Sequence, residues 1–264
     1  MKKSLVALAF GTLALGITEY VMMGILADVA SSLNVSITKA GHLISAYALG
    51  VTSGAPLLTV AHKYGPKNIL LVLAGVMLCG AVISSLAPDY YTLLVARFIS
   101  GLPHGAYFGV ASIVAVRLAD EKHQNSAMSV MVAGMTVANL LGVPLGTALS
   151  SGISWRVPFI FVIAVSIAVL YYIWKWVPDI ESLPDHGYKR QFGFLKSGAP
   201  WLIIIATMLG NGGIFCWYSY ISPILTDEGG FTEAMLPMLM IAAGGGMVIG
   251  NILCGRLSDK YSPG

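Results

Sequence analysis

The sequence predicts an all-α polytopic membrane protein, a bundle of about eight bilayer-crossing helices. First, charge is scarce: 10% of the 264 residues are charged and 56% are hydrophobic, against roughly 25% charged in a soluble domain. A mean hydropathy of +0.79 agrees. Second, apolar runs long enough to cross about 30 Å of hydrocarbon, at about 1.5 Å per helical residue, recur along the whole chain. Third, Lys and Arg concentrate in alternate loops, as they do when one set of loops stays cytoplasmic.

The expected spans are 4–27, 40–61, 68–87, 91–116, 126–149, 156–177, 199–222 and 234–256. The first begins after Lys2 and Lys3 and resembles a secretory signal at its start. No small-residue cleavage site follows at the right distance, and the apolar run continues to about Met23, so it is read as a retained helix. Spanning strands are excluded because the runs are apolar on every face rather than in alternation.

Assigning loops alternately to two sides puts Lys63, Lys67, Arg117, Lys122, Lys175, Lys189, Arg190, Lys196, Arg256 and Lys260 with Lys2 and Lys3 on one side. Only Lys39 and Arg156 fall on the other, and Arg97 lies within a span. The rich side, with the N-terminus, is expected to be cytoplasmic.

Three divisions follow: a six-helix bundle over 1–178, a polar loop of mixed charge over 179–198, and two further helices over 199–264. A short repeat supports duplication. The second span runs into His62, Lys63, Tyr64, Gly65 and Pro66, and the eighth into Asp259, Lys260, Tyr261, Ser262 and Pro263. These points are equivalent if two six-helix halves share one architecture. On that reading the second half is incomplete at Gly264 and expects about four further spans.

Several residue types are unusual for a membrane interior. Glu19 is the only acidic residue well inside a span. A carboxyl there is costly, so it is expected to face a cavity or a partner, as a proton carrier or as half of a structural ion pair. Arg97 is its expected partner. Counted along spans one and four at about 1.5 Å per residue, both lie roughly 8–9 Å from the outer edge of a 30 Å core.

Arg97 heads a four-residue stripe with Gly101, Gly105 and Gly109, a face that admits close helix approach. His104 either titrates near neutral pH or hydrogen-bonds to a neighbouring helix, the second being favoured. In the fifth span Gly134, Ala138, Gly142 and Gly146 form a similar stripe. Pro144 removes a backbone donor there and is expected to bend the helix.

Tyr20, Tyr47 and Asn139 are candidates for a central cavity, joined by Asn211, Trp217 and Tyr218 of the seventh span. Aromatic surface beside hydrogen-bonding groups suits a sugar or a flat drug-like ligand. It equally suits the outer interfacial belt. Gly244, Gly245, Gly246 and Gly250 read as packing positions, and Cys79, Cys216 and Cys254 as small buried residues without disulfide or zinc spacing.

No nucleophile–base arrangement, metal cluster or phosphate-binding loop is present in the sequence, so an enzyme and a cofactor are not expected. The basic residues form a membrane fringe, not a nucleic-acid patch. Oligomeric state is not specified.

With these residues in view, the sequence resembles the major facilitator superfamily, in its bacterial proton-coupled efflux branch. Within that branch it is most similar to arabinose-type sugar efflux transporters. The marks are Thr18, Glu19 and Tyr20 through Gly24, then Ala40, Gly41 and His42 with Ser45 through Gly50. Arg97 to Gly101, His104 to Ala106, Gly134 to Thr136, Gly142 to Gly146, and Trp155 with Arg156 complete them.

The resemblance implies about twelve spans in two halves, a central cavity, proton-driven alternating access and a place in the bacterial inner membrane. Its partners would be protons, a small-molecule substrate and the lipid bilayer. The substrate would be a sugar such as arabinose, or alternatively a drug. A third reading is a truncated membrane fragment that transports nothing.

The resemblance makes Glu19 the membrane acid and Arg97 the fourth-span arginine. It gives Gly134, Gly142, Pro144 and Gly146 an antiporter-like signature. The family's loop motif matches Lys63, Gly65 and Lys67, with Leu58 and His62 where a Gly and an Asp are usual. The second copy keeps Gly255, Arg256, Asp259 and Lys260.

Overall fold

The computed structural model describes residues 2–57, 63–120, 123–182 and 193–260, the last ones of the chain by backbone alone. The longer helices are α1 (Lys2–Gly24), α2 (Leu26–Ser32), α3 (Ile37–Gly54), α4 (Pro66–Leu86), α5 (Tyr90–Leu118) and α6 (Gln124–Val137). They continue with α7 (Val143–Gly152), α8 (Val157–Trp176), α9 (Gly198–Ser219) and α10 (Leu236–Lys260). No strand occurs among the described residues.

Among the described residues six stretches are long and apolar enough to cross a membrane: α1, α4, α5, Gln124–Gly152, α8 and α9. Of the other two expected spans, 40–61 is helical over its described part and 234–256 falls in α10. Lys39, His42 and several small polar residues dilute α3.

Local chemistry sets several helix starts. The Ser36 hydroxyl accepts from the Lys39 N–H at 3.2 Å and begins α3. Asp89 caps α5, its carboxylate accepting from the Tyr91 and Thr92 N–H groups at 2.9 and 3.0 Å. Pro66 and Pro158 occupy first-turn positions of α4 and α8, where the missing N–H costs nothing.

Near Pro144 the helix widens instead of simply bending. Ala138–Gly142 is a π-helical turn between α6 and α7. Proline cannot donate to the preceding turn, and a π-bulge absorbs the mismatch.

Helices α1 and α3–α8 pack into one bundle, with α3 against α5, α4 against α5 and α8, and α1 against α6 and α8. Small residues allow the close crossings. Gly50 and Gly54 of α3 face the Phe98 and Leu102 carbonyls of α5, and Gly101 faces the Tyr47 carbonyl in return. Gly134, Gly142 and Gly146 all face α1, at Ala9, Ile17 and Val21. Gly105 makes only ordinary contact, with Ala55.

Helices α9 and α10 differ. Of α9 only Tyr218 and Ser219 are buried. The chain beyond it, Ile221–Pro223 and a π turn over Ile224–Glu228, packs back beside α2. α10 lies against α7 and the Ala138–Gly142 turn.

Two packing expectations need correction. Cys79 and Cys216 are exposed, not buried. In a membrane helix the outward face is apolar too, so an apolar neighbourhood does not imply burial. Of the α10 glycines, Gly244 packs on the Asn139 carbonyl, while Gly245, Gly246 and Gly250 meet open space.

Candidate functional site

A polar cluster lies where α1, α3 and α5 meet. Arg97 and His104 are seven residues apart on α5, two turns along one face. Tyr47 of α3 stands between them, and Glu19 of α1 lies opposite His104.

Arg97 is fully buried. Its Nη1 donates to the Thr18 carbonyl at 2.6 Å and its Nε to the Leu43 carbonyl at 3.4 Å. The guanidinium carbon sits 4.5 Å from the centre of the Tyr47 ring. Two backbone dipoles and an aromatic face thus replace the water lost on burial.

The Tyr47 hydroxyl lies 2.8 Å from His104 Nδ1, with the rings edge to face at 5.9 Å. His104 Nε2 is 3.8 Å from Glu19 Oε2, and its other face stacks on Phe108 at 5.3 Å. Glu19 Oε2 and Arg97 Nη2 are buried and have no hydrogen-bond partner among the described residues.

Glu19 and Arg97, the expected ion pair, lie close enough to act on one another's charge, but no direct salt bridge between them occurs among the described residues. Arg97 reaches the expected turn of α1 and bonds there to the Thr18 carbonyl, one residue before Glu19. Within 4.0 Å the basic group facing Glu19 is His104. His104 also bonds to a neighbouring helix, through Tyr47.

Tyr20 joins this cluster to a second one. Tyr20, Asn211, Ile214, Phe215 and Tyr218 line a cleft of about 180 Å³ between α1 and α9. Tyr20 stacks on Phe215 at 6.0 Å and meets Tyr218 edge-on at 6.1 Å. The Tyr20 hydroxyl faces the Asn139 side chain, whose buried Oδ1 has no partner among the described residues. Asn139 lies in the π turn.

Trp217 is not part of this cleft. It is half exposed and points away, touching only the edge of the cluster through Tyr218 at 6.2 Å. Phe215 was missed from sequence, although Asn211, Phe215 and Tyr218 follow the i, i+4, i+7 spacing of one helix face.

At the opposite end of the bundle, Lys67 pairs with Asp179 at 3.7 Å. The Arg117 guanidinium donates to the Glu181 carbonyl at 2.9 Å. Gly65 lies beside the Ile180 carbonyl and Lys63 in the turn before α4. The start of the 179–198 connection is therefore held by basic residues from the ends of α4 and α5. His62 lies outside the described residues, and Gly255, Arg256, Asp259 and Lys260 are placed by backbone only, within α10.

A bundle of apolar spanning helices with a buried acid–histidine–tyrosine–arginine cluster beside an aromatic cleft defines a multi-pass membrane protein with a polar interior. Comparison with known proteins agrees. The Major Facilitator Superfamily pattern matches residues 8–264. The chain is 45% identical over its whole length to the Escherichia coli (strain K12) protein named "Putative transporter AraJ", covering 67% of that protein.

It is 28% identical over 98% of its length to a Helicobacter pylori (strain J99) protein named "Probable sugar efflux transporter", covering 65% of it. It is 27% identical over 98% of its length to a "Chloramphenicol resistance protein" of Streptomyces lividans, covering 68%.

Among solved structures, a bacterial homologue of the human lysosomal transporter Spinster, in an inward-facing unoccupied conformation, superposes with a TM-score of 0.79. The sequences are 18% identical there, over 98% of this chain and 63% of the other. The protein belongs to the major facilitator superfamily, and the chain spans about two thirds of the length of these relatives.

Proposed function

We propose that this protein is a proton-coupled efflux transporter of the bacterial inner membrane, exporting a sugar such as arabinose or a related small solute. The carrying observation is Glu19: a largely buried carboxyl with an unpartnered oxygen 3.8 Å from His104, one residue before the tyrosine that lines the aromatic cleft. An intramembrane acid without a fixed ion pair is free to exchange a proton.

In this reading a proton entering from outside neutralises Glu19 and removes the charge facing His104 and Arg97. The resulting shift of α1 passes to Tyr20, the next residue, and alters the cleft that holds the solute. Asn211 and Asn139 supply neutral hydrogen-bonding groups and Tyr20, Phe215 and Tyr218 supply ring faces, a combination that fits sugar hydroxyls and C–H surfaces.

The N-terminus and the Lys67–Asp179 end are cytoplasmic, following the basic loops. Residues 1–178 act as one bundle and 199 onward as part of another, joined by 179–198. The partners are protons, the solute and the surrounding bilayer.

A drug substrate is the second reading, favoured by the chloramphenicol-resistance relative and by the same ring faces. The test is uptake of labelled arabinose by inverted membrane vesicles with an acid interior, comparing the protein with Glu19→Gln. Uptake that collapses at least tenfold in Glu19→Gln supports the reading. Gradient-driven uptake retained in Glu19→Gln makes Glu19 structural. No arabinose uptake, with export of chloramphenicol, transfers the assignment to drugs.

A further inference from the structure

The Tyr47 hydroxyl is buried with its ring, which is 2% exposed. A buried hydroxyl proton needs an acceptor. Among the described residues the one partner of this hydroxyl is His104 Nδ1, at 2.8 Å. The phenol therefore donates and Nδ1 accepts. A neutral imidazole that accepts at Nδ1 carries its proton on Nε2.

Nε2 is the nitrogen that faces Glu19 Oε2 at 3.8 Å. The opposite tautomer leaves the Tyr47 proton without an acceptor. It also sets the bare Nε2 lone pair against the oxygen of an ionised Glu19, which has no hydrogen-bond partner among the described residues. Both defects vanish together in one assignment.

The ring is not free to escape it. Phe108 stacks on one face at 5.3 Å and 25°, and Tyr47 meets it edge-on at 88°. Tyr47 is itself seated on the Arg97 guanidinium.

We propose that Tyr47 is a positioning residue, whose hydroxyl holds neutral His104 as the Nε2–H tautomer and aims that N–H at Glu19. The ionisable groups around Glu19 are then Tyr20 on α1, Tyr47 on α3, and Arg97 and His104 on α5. Of the basic groups among them, His104 is the one within 4.0 Å of Glu19. Tyr47 also occupies the face of Arg97, which accounts for a buried arginine and a nearby acid that do not pair directly.

The role in transport rests on Glu19 being the proton carrier, but the tautomer does not. The experiment is solid-state NMR of the full chain in lipid bilayers, with ¹⁵N-labelled histidine, at a pH where His104 is neutral. The His104 signals are identified by their loss in His104→Gln.

The expected wild-type pattern is a bare Nδ1 and a protonated Nε2. Glu19→Gln keeps that pattern, because Tyr47 sets it. Tyr47→Phe, which retains the ring over Arg97, loses it and gives two sets of His104 nitrogen signals.

A wild-type spectrum with a protonated Nδ1 overturns the proposal without any substitution. So does a single Nε2–H tautomer that survives Tyr47→Phe, or one that is lost in Glu19→Gln. A Glu19→Gln protein that still couples transport to the proton gradient sinks the function proposed above and leaves the tautomer assignment standing.

Discussion

Helices α1 and α9 are nearly alike in length and apolarity, with hydropathies of 1.7 and 1.6 over their most apolar stretches, yet 67% of that stretch is buried in α1 and none of it in α9. The difference lies in what their small residues meet. Gly16 and Gly24 of α1 sit against Met135 and Thr147, whereas Gly210, Gly212 and Gly213 of α9 have nothing within 4 Å. Apolarity brings a helix into the bilayer; small residues at facing positions bring it against another helix. α9 touches α1 chiefly through Phe215 and Tyr218, at the aromatic cleft, so the contact between the two regions is also the candidate binding surface.

The largest expected effect breaks the α1 side of this contrast. A side chain at Gly134 collides with the Ala9 carbonyl and with Thr12 of α1. Backbone cannot move aside as a flexible side chain can, so Gly134→Leu is expected to cost about 3 kcal/mol, read as a fall in thermal midpoint by fluorescence-detected size exclusion. Gly212→Leu on α9 is expected to change stability by less than about 1 kcal/mol. Equal losses at the two positions would mean that the open face of α9 is packed in the bilayer.

A smaller effect sharpens the same contrast at the one place where the regions meet. Tyr20 and Phe215 stack at 6.0 Å with planes 23° apart. A double-mutant cycle of Tyr20→Leu and Phe215→Leu is expected to give a coupling of about 1 kcal/mol. A coupling near zero would show that stacking does not hold α9 to α1, leaving Tyr218, clustered with Met23 of α1, to do so.

Helix positions were legible in the sequence because a run apolar on every face and as long as the bilayer is thick has no stable place in water. The place of the helix irregularity was legible too, since Pro144 lacks a donor; its π form was not, because bending and widening both relieve that loss. The level of Arg97 against α1 could be counted in residues. Its partner could not, since Thr18 and Glu19 differ by about 100° around the helix and nothing local fixes the rotation of α1.

Phe215 stayed hidden because an apolar ring in an apolar helix carries no chemical signal until Tyr20 is known to face it. The exposure of Cys79 and Cys216 was hidden for the related reason that membrane helices are apolar inside and out.

The smallest expected effect concerns a helix start at the surface. Asp89 caps α5, the helix that carries Arg97 and His104, and the Thr92 N–H and hydroxyl with the Tyr91 N–H hold its carboxyl below the usual aspartate range. A carboxyl whose folded value is depressed stabilises the fold above its unfolded value and loses that contribution as pH falls through the folded one. The cap therefore contributes fully at neutral pH and fades on acidification below the ordinary aspartate range near pH 4. Asp89→Ala is expected to lower the thermal midpoint slightly at pH 7 and not at all once the pH is well below that range, because the wild-type cap is then protonated as well. A deficit that persists unchanged into acid would show that Asp89 acts through packing rather than through its charge, and that the start of α5 depends on helix propensity and the Tyr90–Tyr91 contact instead.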